Sequence, residues 1–416
     1  MDARQEKGLQ IAATLKIQPK GEGWIVPSQT LVGKYEVTRS DDAFRCSCPD
    51  FELRQKMCKH TFAVEYYLKR ETVVAPDGTE TVTETRAVRV TYQQDWSLYN
   101  AAQTQEKELF LFLLRDLCAA VPEPARGAAG GRPSIPISDA LFSACFKVYS
   151  GMSSRRFMSD LRDAAAKGFI AKAAHFNSIL NVIENPTITP LLHTLIAASA
   201  APLGVVETQF AVDSTGFGTQ CFYRHYSAKY GHDEVWRNYL KLHALVGTTT
   251  NVIAAATVTD RDSHDYPQFA PLIEEGAKTF KMAEISADKA YLGRSNVTAA
   301  ATIGANVYIP FKKGLKDDTR NTTASVLWSK LFHLYHYRVD EFLPHYHRRS
   351  NAESTFSIIK RVFGETLRSK NTEAQTNELL LMVIAHNIVC VIHSIFELNV
   401  TVPGISVDGT NYTLRT

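Results

Sequence analysis

Three acids lie far apart in the chain, each in a segment with a clear pattern. Asp213 ends an apolar, β-rich run inside "GVVETQFAVDSTGFG", Asp288 closes the strand-like part of "MAEISADKAYLG", and Glu353 sits in the helical stretch "HRRSNAESTFSIIKRVFG". Each alone has an ordinary explanation, a turn cap for Asp213 or a solvated helix face for Glu353. Together they are hard oxygen ligands of the kind that suits Mg²⁺ or Mn²⁺, ions that keep several waters and bind phosphates. Two such ions roughly 3.5–4 Å apart activate an attacking oxygen and stabilise the leaving one in an in-line displacement. The chemistry on offer is phosphoryl transfer, provided the fold brings the three carboxylates together.

A second set of capable residues is packed near the N-terminus. The run "FRCSCPDFELRQKMCKH", Phe44 to His60, holds three of the 7 cysteines and ends on a histidine. The opening "MDARQEKGLQ" is polar with no signal-peptide core, which points to a reducing, cytoplasmic setting where clustered thiols are not disulfides. Metal binding is the remaining reading. Cys46, Cys48, Cys58 and His60 are spaced C-x-C, a gap, then C-x-H, and three thiolates with one imidazole make a tetrahedral zinc set. Four protein ligands leave no open position, so the zinc is structural and supplies folding free energy to a unit too small for a sufficient core. "GWIVPS" and "GKYEVTRS" read as two short strands and "HTFAVEYYLKR" as a helix, a ββα arrangement. Arg45, Arg54, Lys56, Lys59, Lys69 and Arg70 make the surroundings basic, as either a phosphate contact or a solvated face requires.

The three acids need a scaffold, and the residues beyond 200 carry its pattern. After the first run, "YLKLHALVG" and "VIAAATVTD" read as two more strands joined around "TTTN". "FAPLIEEGAKTF" reads as a helix, the Asp288 segment as a fourth strand, "SNVTAAATIGA" as a helix, "NVYIPF" as a fifth strand, and a long helical region follows. The order β-β-β-α-β-α-β-α is α/β, a mixed five-stranded sheet with flanking helices. In that topology the first and fourth strands can be neighbours and the last helix can cross them, so the acids can meet. Arg349, four residues before Glu353, and Lys360, seven after it, share its helical stripe. Tyr346 joins them if the helix starts early enough. "DRDSHDYPQF" offers Asp262, His264 and Asp265, read as a turn with Asp265 or Ser263 near the cap of the next helix rather than as a metal site. His225, His232 and His243 have no ligand-like spacing.

Upstream, "ETVVAPDGTETVTET" signals a hairpin and "EKELFLFLLRDLCAAV" a helix. "PEPARGAAGGRPSIP" reads as a Pro/Gly/Ala linker near residues 119–136, in which "GGRP" also has the form of a minor-groove arm. "ISDALFSACFKVYSGMSSRRFMSDLRDAAAKGF" predicts two helices, the second capped by Ser153. It is either a DNA-binding element exposing Arg155 and Arg156 or a helical support. With 46 Lys+Arg against 43 Asp+Glu, total charge announces no nucleic acid, so any basic surface must be local. "LLLMVIAHNIVCVIHSIF", Leu379 to Phe396, is long enough to cross a membrane but carries His386, Asn387 and His393, which lipid penalises. It reads as a buried core helix, and no membrane partner is expected.

Two resemblances follow from these residues. Cys46 to His60 resembles the SWIM zinc finger, whose pattern is C-x-C, a variable gap, then C-x-H; "CPDF" after the first cysteine strengthens the match, and such fingers are associated with binding DNA or protein. The region from about Val205 to Val400 resembles the DDE transposases of bacterial insertion sequences, which have a ribonuclease H-like core. "AVDSTGF", "SADKAYLG" and "YHRRSNAESTFSIIK" carry the likeness, the last with Tyr346, Arg349, Glu353 and Lys360 in the spacing Y-x2-R-x3-E-x6-K, the YREK signature. The resemblance implies a catalytic, metal-binding acid in each segment, Asp213, Asp288 and Glu353, holding Mg²⁺ or Mn²⁺. It implies DNA-backbone contacts near the scissile phosphate for Arg349 and Lys360, with Tyr346 grouped beside them. Some YREK transposases carry a long β-rich insertion between the second acid and the glutamate; here about 65 residues separate Asp288 from Glu353, so release through a DNA hairpin is not implied.

The expected organisation is a SWIM-type zinc-binding domain over 1–90, a helical region expected to bind DNA over 91–200, a ribonuclease H-like catalytic domain over 201–400 and a tail over 401–416. The implied function is a cut-and-paste DNA transposase that binds terminal inverted repeats, then cuts strands and joins them to target DNA, acting on double-stranded DNA as a homodimer. Two alternatives share the core: a metal-dependent nuclease without strand transfer, and a domesticated, non-catalytic DNA-binding regulator.

Overall fold

A four-stranded antiparallel sheet organises the N-terminal unit, Met1–Gln94, in the order β1 (Gln18–Lys20), β2 (Gly23–Pro27), β3 (Lys34–Ser40), β4 (Ala43–Cys46). The computed structural model describes residues 3–14, 17–21, 23–28, 34–40, 43–74, 80–86, 95–123, 135–219, 238–318, 320–408 and 411–414. Helix α1 (Ala3–Thr14) precedes the sheet, and α2 (Pro49–Arg54) and α3 (Lys59–Tyr67) follow it. Helices α1 and α3 pack so closely that a Cβ on Gly8 would stand 2.6 Å from Cβ of Phe62. Ile11, Ile17, Val26, Val37, Ala63 and Val64 close a small core around the cysteines. The unit therefore has four strands and a leading helix where a ββα element is expected from sequence. Helix α1 was not legible because, among the described residues, Ile11 is its one large, fully buried anchor. The expected hairpin is present as β5 (Leu68–Val74) and β6 (Glu80–Arg86), paired Val74 with Glu80; its Pro-Asp-Gly turn lies outside the described residues.

The second unit, Asp95–Thr416, holds a five-stranded mixed sheet. Its strands are β7 (Gln209–Gly218), β8 (Tyr239–Gly247), β9 (Ile253–Asp260), β10 (Glu284–Ala287) and β11 (Asn306–Tyr308), in the spatial order β11-β10-β7-β8-β9. β7, β8 and β9 form an antiparallel meander, while β10 and β11 join β7 in parallel, as two crossover connections require. This is a ribonuclease H-like α/β core, and it puts the first strand beside the fourth, as the β-β-β-α-β-α-β-α order predicts. Glu207, fully buried, ties the β8–β9 turn: its Oε2 accepts from the amides of Thr249 at 3.0 Å and Thr250 at 2.9 Å. Gly247 makes room for that carboxylate, since a Cβ there would lie 2.6 Å from Glu207 Oε2.

Helices α4 (Trp96–Ala119), α5 (Ile137–Ser150), α6 (Met158–Ala166), α7 (Phe176–Glu184) and α8 (Thr189–Ala200) belong to the same unit as the sheet. Helices α9 (Phe269–Ala277) and α10 (Arg294–Thr302) fill the crossovers. Helices α11 (Thr323–Tyr337) and α12 (Val339–Tyr346) occupy the stretch between β11 and α13 (Ser350–Phe363), and α14 (Thr372–Glu397) closes the core. Helix α14 is wrapped by α4, α5, α7 and α8 and touches β9. The residues that argue against a lipid setting are each satisfied inside the protein. Asn387 donates to Ile253 O and accepts from Ile253 N, both at 2.8 Å, His386 Nε2 meets Asn251 O at 2.8 Å, and His393 Nδ1 meets Glu397 at 2.9 Å. Pro186–Val205 is also long and apolar enough to span a membrane, by length and composition.

Several local expectations change. Ser153 does not cap α6: its carbonyl, not its side chain, accepts from Phe157, and α6 begins only at Met158 after an intervening turn. Beyond 401 the chain forms a hairpin, β12 (Ile405–Asp408) with β13 (Asn411–Leu414). Residues 124–134 of the expected linker, with "GGRP", and His225 and His232 lie outside the described residues.

Candidate active site and metal centre

Strand β7 runs five residues past Asp213, so the acid sits inside the strand rather than at its end. The reason is the asymmetry of its neighbours. β8 pairs with β7 as far as Gly218, whereas parallel β10 stops at Ala287, opposite Val212. Asp213 therefore lies where one neighbour ends, and Asp288, the residue after Ala287, emerges beside it. Asp288 caps the short turn Lys289–Tyr291, its carboxylate accepting the Lys289 amide at 2.7 Å. Glu353 comes from the first turn of α13, which packs on β7 and β8.

Arg349 joins two of these acids. Its Nη1 donates to Asp213 Oδ2 at 2.8 Å and its Nη2 to Glu353 Oε1 at 2.5 Å. Burial raises the Asp213 carboxyl above its ordinary 3.8. The Ser214 amide and Arg349 oppose that rise, while the charges of Glu353 and Asp288 reinforce it, as expected for acids sharing one site. The helix does not run unbroken back to Tyr346. α12 ends there and a tight turn, His347–Arg349, leads into α13. Arg349 keeps its position one turn before Glu353, and Tyr346 stacks on Phe342 at 5.7 Å, its hydroxyl pushed up chiefly by burial. Lys360 projects over the Phe217 ring at 5.3 Å. Between β7 and α13 a cleft of about 530 Å³ is lined by Asp213, Thr215, Glu353, Phe356, Lys360 and Arg361, among others.

The Arg349 guanidinium stands in for a cation shared by Asp213 and Glu353. Oxygen donors that already share one positive charge fit a divalent ion such as Mg²⁺ or Mn²⁺. Among the described residues, though, the group whose ligand atoms all lie within 4.8 Å of one another is the Cys/His set, and the three acids, with Arg349 between two of them, are not drawn together to that degree.

Behind Asp213, on the other face of β7, lies a polar cluster that sequence reasoning missed. Ser214 and His243 are cross-strand partners. Asp265 Oδ1 accepts from Lys241 Nζ at 3.3 Å and from Ser214 Oγ at 3.4 Å, and lies 3.8 Å from His243 Nδ1. Asp265 makes no side-chain cap; it is Asp260 that holds the turn, accepting from Ser263 N at 2.9 Å and Ser263 Oγ at 2.6 Å. The signal was available in register: Lys241, His243 and Ser214 alternate onto one face once β7 and β8 are paired.

In the N-terminal unit, Cys46 ends β4, Cys48 and Cys58 precede α2 and α3, and His60 lies in the first turn of α3. Gln55, with φ 52°, turns the chain after α2 to return Cys58 to the cluster. Thr61 locks that end by accepting from Cys58 N at 2.9 Å. His60 Nδ1 lies 3.8 Å from Cys46 Sγ and 3.9 Å from Cys58 Sγ, close to the roughly 3.5–3.8 Å edges of a tetrahedral zinc site. His60 Nε2 is buried without a partner. A hydrogen bond from Cys46 holds the Cys58 thiol low, and the same contact, with burial, drives Cys46 up. Three thiols this close ionise together only with a cation among them, so the donor set fits Zn²⁺. The other described cysteines, Cys118, Cys145 and Cys390, are buried free thiols.

Residues 206–388 match the Transposase DDE domain family, and residues 35–69 match the SWIM zinc finger. The chain carries a transposase DDE domain and, N-terminal to it, a SWIM zinc finger. Among solved structures it is similar to a piggyBac transposase synaptic complex with hairpin DNA, at 9% identity over 80% of this chain and 77% of that one, with a TM-score of 0.32. It is also similar to a simian T-cell lymphotropic virus intasome in complex with the PP2A regulatory subunit B56 gamma, at 15% identity over 51% and 65% of the two chains, with a TM-score of 0.20. Neither likeness is strong enough to bear on this site.

Proposed function

We propose that this protein is a DNA transposase whose catalytic acids are Asp213, Asp288 and Glu353, and that it cleaves DNA at element ends and joins the freed ends to target DNA. A transposase DDE domain implies phosphoryl transfer on DNA. The observation that carries the residue assignment is the Arg349 bridge from Asp213 on β7 to Glu353 on α13, beside the turn that bears Asp288. The three carboxylates would hold Mg²⁺ or Mn²⁺, which when bound supplies Lewis-acid stabilisation of the attacking and leaving oxygens. The chain's own part is to place the phosphodiester. Arg349, once it leaves the acids, turns to the phosphate backbone, and Lys360 meets the same strand further along α13. Tyr346, stacked on Phe342, stands near enough to Arg349 for the two to act on each other's charge. Water first attacks the phosphorus and the 3′-oxygen leaves as a hydroxyl; that hydroxyl then attacks a target phosphodiester, forming a new bond to its phosphorus as the target strand's own 3′-oxygen leaves as a hydroxyl.

The acids read no bases, so end recognition falls to other elements. The SWIM unit with its Cys46, Cys48, Cys58 and His60 zinc set, and the helices over 91–200, bind the terminal inverted repeats in this reading. Two ends processed together call for a homodimer on the DNA. Alanine at Asp213, Asp288 or Glu353 is expected to abolish Mg²⁺-dependent cleavage while end binding persists. Cleavage retained by the Glu353→Ala protein would remove that residue from the site, and cleavage without joining by the unaltered protein would leave a nuclease.

A further inference from the structure

Asp213 is oriented from two sides. Arg349 takes Oδ2 from the front, and the Ser214 amide donates to Oδ1 at 2.9 Å from within the strand. Ser214 thus has two bonds of opposite reach: its N–H holds the acid in front, and its hydroxyl reaches back to Asp265 at 3.4 Å. Asp265 is itself fixed through Lys241, whose Nζ donates to Asp265 at 3.3 Å and to Ser263 O at 2.7 Å. His243 completes the back wall, with no exposed surface and with Nε2 on Thr259 Oγ1 at 2.8 Å.

Two buried polar atoms in this region have no hydrogen-bond partner: His243 Nδ1, which faces Asp265, and the Tyr291 hydroxyl. A buried polar group without a partner costs about 1–3 kcal/mol, so a pair near one carboxylate needs a reason. Tyr291 is 1% exposed and ends the turn that Asp288 caps. Burial raises its pKa first, and among the charges acting on it Asp265 leads, ahead of Asp213 and Asp288; it lies beside Ser214 without closing a bond of normal geometry. The cluster therefore reaches both segments that present the strand-borne acids: β7 through Ser214, and the turn after β10 through Asn296, whose Nδ2 donates to Tyr266 O, next to Asp265, at 3.1 Å and to Tyr291 O at 2.9 Å.

We propose that Asp265 is a positioning residue: through Ser214 and beside Tyr291 it sets the orientation of Asp213, and the spacing of Asp213 from Asp288, for divalent-metal binding. Groups that orient a metal ligand from behind are typically worth 10–100-fold in metal affinity. The proposal rests on the assignment of Asp213 as a metal ligand, and the test separates the two. Mn²⁺ binding to the full-length, zinc-loaded protein is followed by electron paramagnetic resonance, without DNA and without reference to turnover. Asp265→Ala is expected to weaken Mn²⁺ binding about 10–100-fold, and Ser214→Ala to weaken it as well. The double variant should be no weaker than Asp265→Ala alone, because both changes cut the same link. Asp265→Asn, which keeps an acceptor for Ser214, should recover part of the affinity. Unchanged Mn²⁺ affinity in Asp265→Ala overturns the proposal, as do additive effects of the two substitutions. A loss matched by a lowered unfolding temperature in both Asp265→Ala and Asp265→Asn also overturns it, by making the role structural. If Asp213→Asn leaves Mn²⁺ binding intact, the assignment of the acids fails instead.

Discussion

Burial holds the Asp213 carboxyl above its ordinary 3.8, and neither the Ser214 amide nor Arg349 fully reverses it. The native state therefore keeps its proton to a higher pH than the unfolded chain. Between the two pKa values the native state binds more protons, so stability falls as pH rises through that window and stays lower above it. On the proposed assignment, an acid placed for chemistry is a cost to folding. Asp213→Asn is expected to abolish cleavage and, at neutral pH without divalent metal, to raise the unfolding temperature. That gain should shrink as pH is lowered into the ordinary carboxylate range, where the native acid is protonated as well. Thermal unfolding across pH checks it, and a variant no more stable than the parent at neutral pH contradicts the sign. At this scale the sequence already displayed the acids, Arg349 and the Cys/His set, because their types and spacing are local facts. Asp265 does stand at the cap position of the turn before α9, as the sequence suggests, but its side chain makes no cap bond; its contacts, Lys241 and Ser214, come from two other strands and were not legible from neighbours in sequence.

Among the elements, α14 shows how an apolar helix with polar residues is built for a protein interior. Asn387 pairs its amide with both backbone groups of Ile253, so it hydrogen-bonds the start of edge strand β9 much as a neighbouring strand would. Asn387→Leu removes both bonds and strands a buried N–H and C=O. At about 1–3 kcal/mol for each group the expected destabilisation is about 2–6 kcal/mol. It should appear as a lower urea midpoint with an unchanged slope, and a midpoint equal to the parent's would refute this account of the residue. The strands and crossover helices of the sheet were legible from period-two runs and their spacing. Their ends were not: β7 continues past Asp213 because β8 remains paired with it to Gly218, a fact about the partner strand.

At the scale of the molecule, the two units have separate cores of unequal size, Met1–Gln94 and Asp95–Thr416. The smaller relies on the Cys46, Cys48, Cys58 and His60 cluster, since its apolar core is a handful of side chains. Chelation of Zn²⁺, or Cys58→Ser, is expected to unfold the N-terminal unit and leave the larger transition in place. Circular dichroism melts with and without chelator check this, and a single transition that moves as a whole would show one cooperative body instead.

The sequence by itself determined which chemistry is available, since ligand types, the Y-x2-R-x3-E-x6-K spacing and the alternation of strands and helices are all written in neighbouring residues. Tertiary structure alone decided how that chemistry is held: that β10 stops opposite Val212 so that Asp288 emerges beside Asp213, that Arg349 spans Asp213 and Glu353, and that Ser214 links a front acid to a back one. The physical reason is that strand register and helix docking are set by packing between segments far apart in the chain, and a shift of one residue in β7 would send Asp213 to the opposite face of the sheet.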